Sequence, residues 1–396
     1  MTMDLSEKIE KKELICLAGI FIFVFAMLMD HTYVVAMDDA ATLRSIGTYS
    51  KYLAYFLLCI KILWDQYDNR NIISAIAYMG IFVIAALFAG EFNFCLFFLI
   101  YVATIGCDGK RIISVSIFAQ AIILIGSIVA ALTGYVPNYD FSELTRKRMG
   151  MGFAWCTTAP IVFYFIALGY IYIRGRKFKW YEAVMLEVIN YLIYTQTNTR
   201  MTFYVSTIFL LFFAIQSLWD NPWRIMHVFK WLWIMMPFIC ALISIGTTIM
   251  FDEDSTIWLK ANAFLSGRLN LGFDAIKEYG FTLFGQPIEW VGSSTLNTSL
   301  YGYNYVDCSY LQIALSYGII ALIAILTIYS IAIYRACIAD DYWLVFVLIF
   351  VLIHSLTEPR LYNFAFNTLS FVAFAKINCD RNKERGRNDI IYNSGA

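Results

Sequence analysis

Long apolar runs recur from one end of this chain to the other, and no polar block large enough to form a soluble domain separates them. Lipid offers backbone amides and carbonyls no partner, so a run of about 20 apolar residues is stable in a bilayer only as a helix that satisfies them internally. Composition points the same way: 60% of the residues are hydrophobic and 15% charged, where soluble domains carry about 25% charge. The expected fold is an all-α polytopic membrane protein, one membrane domain over residues 1–396. Its runs place about 12 helices, near 14–30, 46–64, 71–89, 92–106, 112–134, 154–172, 181–195, 201–219, 226–250, 309–334, 342–357 and 363–376.

The first run, "LICLAGIFIFVFAMLM" behind the charged "MTMDLSEKIEKKE", has the outline of a signal peptide, with Val34-Val35-Ala36 as a loose cleavage site. An all-membrane chain needs no removable signal, so an uncleaved first span is expected. The cysteines sit mostly inside apolar runs (Cys16, Cys59, Cys95, Cys156, Cys240) without C-x-x-C or zinc-like spacing, and read as small hydrophobes. The formal net charge is zero, which argues against a nucleic-acid partner.

Basic residues set the expected orientation. With the N-terminus inside, the cytoplasmic side collects Lys8, Lys11, Lys12, Arg70, Lys110, Arg111, Arg174, Arg176, Lys177, Lys179, Arg224, Arg335 and the basic tail 377–396. An even number of crossings returns the C-terminus to the same side. Three segments are then expected outside: a basic loop at 135–153, a long loop at 251–308 and the turn near 358–362.

The long loop contains "AFLSGRLNLGFDAIKEYGFTLFGQ". Leu265, Leu269, Phe273 and Ile276 recur at helical spacing, so an amphipathic helix is expected on the ends of the spans. Arg268, Gly272 and Ala275 share another face, where small residues beside a cation leave room for a bulky anion. A surface arginine near a helix start, mildly opposed by the helix dipole, is the competing reading.

Other cations converge on the same expected side. The loop "YVPNYDFSELTRKRMGMGF" carries Arg146, Lys147 and Arg148; the turn "YTQTNTRMTFY" delivers Arg200; "HSLTEPRLYN" supplies His354, Glu358 and Arg360. Each alone is explained by snorkelling to the membrane surface. Four arginines from separate loops suit a lipid-linked phosphate or pyrophosphate, because guanidinium binds phosphate bidentately and stays charged. His354 and Glu358 are four apart, so on a continuing helix they share a face, as an imidazole–carboxylate base or as a self-satisfied helix end. Glu187 lies inside a span and is expected to line a cavity or pair within the bundle. The acidic runs Asp38-Asp39 and Asp252-Glu253-Asp254 read as helix caps before they read as a cation site.

Aromatic residues crowd the long loop and its rim: Trp258, Phe273, Tyr279, Phe281, Trp290, Tyr301, Tyr303, Tyr305 and Tyr310. Sugar rings pack their C–H faces on such side chains, and an interfacial aromatic belt has the same composition. Asn297, Thr298, Asn304 and Asp307 add hydrogen-bonding groups that a belt does not need. Tyr279, Trp290, Tyr305, Asp307 and Tyr310 are the saccharide-binding candidates.

The "TNTR" turn, "SGRLNLGFDAIKEYGFTLFGQ", "DCSYLQIALSYGII" and "HSLTEPR", with the span count and the long late loop, give the chain a plan that resembles the bacterial oligosaccharide repeat-unit polymerases (Wzy-type O-antigen or capsule polymerases) and the related O-antigen ligases. The resemblance covers nearly the whole chain through loose motifs. It implies a membrane glycosyltransferase of the C type, joining undecaprenyl-pyrophosphate-linked oligosaccharides on the outer face of the bacterial cytoplasmic membrane without cofactor, metal or nucleotide sugar. It also implies that Arg200 and Arg268 hold the donor pyrophosphate and that His354, or next Glu358, activates the acceptor hydroxyl. Arg146 and Arg148 match the family's earlier basic loop only loosely. One displacement at the anomeric carbon inverts its configuration, and a partner that sets chain length is a further one to look for. The alternatives are an O-antigen ligase passing the glycan to lipid A-core, a flippase or secondary transporter with sites nearer the midplane, and a metal-dependent transferase using Asp38 and Asp39.

Overall fold

The computed structural model describes residues 5–37, 40–65, 69–142, 147–219, 226–292 and 303–377. In chain order the helices are α1 (Leu5–Met29), α2 (Tyr33–Ala36), α3 (Ala41–Trp64), α4 (Asn69–Ala89), α5 (Asn93–Thr104), α6 (Gly109–Leu132), α7 (Thr158–Arg174), α8 (Trp180–Thr197), α9 (Arg200–Ser217), α10 (Lys230–Ile249), α11 (Thr256–Phe264), α12 (Arg268–Tyr279), α13 (Ser309–Ser316), α14 (Gly318–Ile338) and α15 (Tyr342–His354). Short 3-10 turns lie at Gly175–Lys177, Met226–Phe229 and Leu369–Ala373. Among the described residues there is no strand, only isolated bridges.

Among the described residues, seven helical stretches are long and apolar enough to cross a membrane: Glu10–Met29, Ala41–Trp64, Gly109–Leu132, Thr158–Lys177, Arg200–Ser217, Met226–Ile249 and Gly318–Ile338. The fold is that of an all-α, multi-pass membrane protein. Helices α1 and α3, α1 and α6, α6 and α7, α8 and α9, and α10 and α14 pack as neighbours. Helix α15 is apolar but short, and it runs through the interior with almost every residue buried. Helix α7, likewise mostly buried, packs beside it.

Of the twelve expected spans, those near 71–89, 92–106, 181–195 and 342–357 are helical but not among these seven, and two more take other forms. The run at 309–334 is two helices, α13 and α14, broken at Tyr317. The freed backbone groups are met by residues 282–286: Ile319 N donates to Thr282 O (3.0 Å), Ile320 N to Leu283 O (3.2 Å) and Gln286 N to Ser316 O (3.0 Å). The two chains cross at Gly285 (φ +104°) and Gly318 (φ +87°), where a Cβ on Gly285 would lie 2.5 Å from Ser316 O and one on Gly318 2.5 Å from Gly285 N. Only glycine allows both the left-handed backbone and that approach.

The run at 363–376 is not a transmembrane helix. It is a buried irregular segment containing only the Leu369–Ala373 3-10 turn. It starts beside Ser309 and ends beside α6, where Lys376 N donates to Cys107 O (2.7 Å) and Gly109 N to Lys376 O (2.9 Å). Non-helical backbone at that depth survives only where protein supplies its partners. Gln120 Nε2 reaches Ala365 O (3.1 Å) and Phe366 O (2.6 Å), Asn367 Nδ2 reaches Leu361 O (2.8 Å), and Arg335 Nη2 reaches Ala375 O (2.8 Å).

Glu187 pairs within the bundle: it accepts from Thr207 Oγ1 of α9 (2.7 Å) and from Asn190 Nδ2 (3.1 Å). Cys16, Cys156 and Cys240 are buried, and Cys59 and Cys95 partly so.

Candidate functional site

The end of the bundle opposite Lys376 is tied together by its loops. In the basic loop, Met149 N donates to Gln196 O at the end of α8 (2.9 Å), Gly152 O accepts from Tyr33 N (2.9 Å), and Ala154 N donates to His31 O (3.0 Å). Arg148 lies over the Trp155 ring at 5.5 Å. On the other side, Arg360 lies over the Phe366 ring at 4.5 Å, and Phe366 packs against His31 at 4.9 Å. Trp155, His31 and Phe366 thus link the supports of two guanidiniums from distant parts of the chain. The Nε of each guanidinium is buried without a hydrogen-bond partner among the described residues. Burial and the nearby Arg360 and Lys51 cations push the His31 imidazole down to about 3.

Ser266 (φ +59°) and Gly267 (φ +84°) turn the chain between α11 and α12, so that Arg268 opens α12. Asn262 Oδ1 caps that start, accepting from Leu269 N (3.1 Å) and Asn270 N (3.2 Å). The buried face of α12 is Leu269, Gly272 and Ala275, packed on α10 and α13. A Cβ on Gly272 would lie 2.9 Å from Thr248 Cγ2 and 3.0 Å from Leu311 Cδ1. The small residues expected to leave room for an anion instead let the helix approach the bundle.

The Arg268 side chain turns inward, 15% exposed. Its Nε donates to Thr357 O (3.0 Å) and its Nη1 to Leu265 O (3.2 Å). Its Nη2 lies 3.4 Å from Glu358 Oε1 and 3.3 Å from Asp307 Oδ2. The turn that carries Glu358 is held by Ser309, whose Oγ donates to Glu358 O (2.7 Å) and accepts from Leu361 N (3.0 Å). "DCS" therefore delivers an acid to the site and a clamp beneath it. Ser309 was not marked by sequence reasoning, although a serine opening a helix was the available signal.

Glu358 is 4% exposed and Asp307 27%. Burial raises the Glu358 carboxyl to about 7, the Asp307 charge adds to this, and Arg268, Arg360 and Arg148 oppose it. Burial also raises Asp307, against the same three arginines. The result is a pair of carboxyls and three cations at one end of the bundle, able to take or give a proton near neutral pH beside an anion.

His354 does not pair with Glu358. Helix α15 ends at His354, and the following turn, closed by Thr357 N on His354 O (3.1 Å) ahead of Pro359, removes the i,i+4 relation. The imidazole is fully buried and stacked on Tyr164 at 4.2 Å and 17°, and neither ring nitrogen has a hydrogen-bond partner among the described residues.

The other sequence candidates divide. Asn198 in a left-handed conformation turns α8 into α9, and Arg200 opens α9 with its side chain exposed. No hydrogen bond or ion pair joins Arg200 to Arg268, Asp307 or Glu358. Arg148 is in the site, while Arg146 lies outside the described residues, as do Asp38, Asp39, Asn297, Thr298, Tyr301 and the tail from residue 378. Tyr279, Trp290 and Tyr305 form an aromatic row, with ring centroids 5.9 and 6.5 Å apart. Asn304 Nδ2 donates to Tyr279 Oη (3.1 Å), and Trp290 Nε1 donates to Ser316 Oγ (2.8 Å). Tyr310 is not a surface platform: it is fully buried and donates to Leu352 O (2.8 Å). In the acidic run, Asp252 Oδ1 accepts from Asp254 N (3.0 Å) and Glu253 pairs with Lys277 (3.5 Å). No family model, curated protein or solved structure matches the chain.

Proposed function

We propose that the protein is a membrane glycosyltransferase that polymerises undecaprenyl-pyrophosphate-linked oligosaccharide units on the outer face of the bacterial cytoplasmic membrane, with both termini inside. The observation that carries the reading is the buried Glu358 carboxyl beside Arg268, at the bundle end that also holds Arg148 and Arg360. The resemblance read in the sequence supplies the donor class.

In this reading an acceptor sugar hydroxyl attacks the anomeric carbon of the donor. Its proton passes to Glu358 as the new C–O bond forms, and the bond to the lipid diphosphate breaks, its electron pair leaving with the diphosphate. One displacement inverts the anomeric centre. Fixed cations where that charge develops lower the barrier, and a carboxyl poised near neutral pH is suited to general-base work. Glu358 is preferred to His354 as the base because the imidazole is enclosed against Tyr164 and faces no partner.

The test is a purified, lipid-reconstituted protein given synthetic lipid-diphosphate-linked repeat units with chelator present. A ladder of longer glycans, lost in Glu358→Gln, supports the reading. Transfer only when lipid A-core is supplied makes the protein a ligase. Silence in both assays, with the lipid-linked unit crossing a sealed vesicle wall, makes it a transporter.

A further inference from the structure

Asp307 sits where the sequence suggests a sugar contact, but its geometry serves another residue. Its Oδ2 and the Glu358 Oε1 approach the same Arg268 nitrogen, at 3.3 and 3.4 Å. Both distances exceed the usual 2.7–2.9 Å of a strong charge-assisted bond, approximately the range of a well-formed arginine–carboxylate pair. Of the other Arg268 nitrogens, Nε donates to Thr357 O and Nη1 to Leu265 O, and both acids are met through Nη2. Glu358 therefore has neither a bidentate ion pair nor sole use of one nitrogen.

We infer that Asp307 is a positioning residue for Glu358: by sharing Arg268 Nη2 and offsetting its charge, it keeps the Glu358 carboxylate from being neutralised in a closed ion pair and so keeps it basic. The inference rests on the proposed role of Glu358 in glycosyl transfer. The charged and titratable groups that face Glu358 come from each surrounding element. Arg268 comes from α12, Asp307, Tyr303 and Tyr305 from the segment before α13, Arg148 from the basic loop, and Arg360 from its own turn. Of these, Asp307 is the carboxylate, and it is the group whose charge raises Glu358 while the arginines lower it. Without it, Arg268 Nη2 can close on Glu358, and three cations face one anion. A carboxylate so held is fully ionised at neutral pH but a poor proton acceptor.

A sugar contact and a positioning residue differ in what they move. A sugar contact acts on acceptor KM; a positioning residue acts on the pH profile and on kcat. Initial rates of ladder formation are measured from about pH 5.5 to about pH 9 with donor saturating, for the wild type, Asp307→Asn and Asp307→Glu. The wild-type rate is expected to rise through a midpoint near 7. In Asp307→Asn the midpoint moves down by about one pH unit, a tenfold change in proton affinity, kcat at the alkaline plateau falls, and acceptor KM stays within about twofold. Asp307→Glu restores the midpoint. An unmoved or raised midpoint in Asp307→Asn, or a tenfold rise in acceptor KM instead, overturns the inference.

A second measurement does not depend on turnover. The infrared carbonyl band of protonated Glu358, identified as the band missing from Glu358→Gln, is titrated in the full-length wild type and in Asp307→Asn. Its midpoint is expected to fall by about one unit when Asp307 is replaced; an unchanged midpoint overturns the inference. Absence of glycan transfer in the wild type with the infrared shift present rejects the glycosyltransferase reading and keeps the relation between the two acids.

Discussion

Arg268 and Glu358 lie 90 residues apart in the chain, and the 3.4 Å contact between Arg268 Nη2 and Glu358 Oε1 fastens the amphipathic helix of the long loop to the turn that follows α15. The contact joins a loop element to the turn after a helix whose residues are nearly all buried. A cation that faces an acid at this depth does more than decorate a membrane surface.

Replacing the two partners has different effects: one removes the titrating group, the other raises its proton affinity. Glu358→Gln removes the proton acceptor and keeps an oxygen toward Arg268, so glycan transfer is expected to fall by about 10²–10⁴-fold in a protein that still folds. Arg268→Gln leaves two acids without their shared cation, so the acid limb of the rate profile is expected to move to higher pH. Rates of ladder formation across pH measure both.

Stability should depend on pH through the same carboxyl. The ordinary value for Glu358 is 4.5 and its value in the folded protein about 7, so the folded state binds the proton more tightly than the unfolded state. Its contribution to stability is therefore complete below the unfolded value and is lost as pH rises through about 7. The loss is on the order of 3 kcal/mol if the full shift is expressed. Thermal midpoints in detergent at about pH 5 and about pH 8 should show the wild type losing stability relative to Glu358→Gln; parallel curves would contradict this.

The crossing of Gly285 over Gly318 leaves no space for a methyl group. Gly285→Ala and Gly318→Ala each place a Cβ 2.5 Å from backbone atoms and demand a left-handed conformation of alanine. A loss of about 1–3 kcal/mol or more per substitution is expected from the strain, read as a lowered thermal midpoint and lower yield of folded protein.

Tyr310 separates a structural role from a sugar-binding one. Tyr310→Phe removes one buried hydrogen bond, to Leu352 O, and should lower stability by about 1 kcal/mol or somewhat more while leaving acceptor KM unchanged. A Tyr279→Ala change, in the half-buried aromatic row, is expected to raise acceptor KM instead. Kinetics and melting of the two proteins in parallel check the distinction.

The irregular segment at 363–376 depends on side chains that stand in for helical hydrogen bonds. Asn367→Leu deprives Leu361 O of one of its two donors, leaving Tyr329 Oη (3.0 Å), and removes the Asn367 contact to that same hydroxyl. The expected cost is about 1–3 kcal/mol, seen as a lowered midpoint, with a larger effect when Gln120→Leu is added because the two serve the same backbone.

Much of the fold is legible without coordinates because hydrophobic length is a local property. The runs that become α1, α3, α6, α7, α9, α10 and α14 declare themselves by length and apolarity, and the amphipathic pattern from Arg268 onward becomes α12. The segment at 363–376 misleads for the same reason. Phe364, Ala365, Phe366, Leu369, Phe371 and Val372 are apolar because they are buried among helices, and composition cannot tell burial in protein from burial in lipid. The break in α13–α14 is similarly hidden, since the residues that satisfy it lie about 35 positions upstream, at 282–286.

Sequence alone determined that the chain is helical and membrane-embedded, and it singled out Arg146, Arg148, Arg200, Arg268, His354 and Glu358 as chemistry out of keeping with their surroundings. Tertiary structure alone decided which of them meet. It put Arg268 on Glu358 and Asp307, stood Arg148 and Arg360 on linked aromatic supports, enclosed His354 against Tyr164 and left Arg200 apart. The reason is physical: a helix follows from neighbours within a turn, whereas the proton affinity of Glu358 follows from burial and from charges at positions 148, 268, 307 and 360, which only packing brings within range.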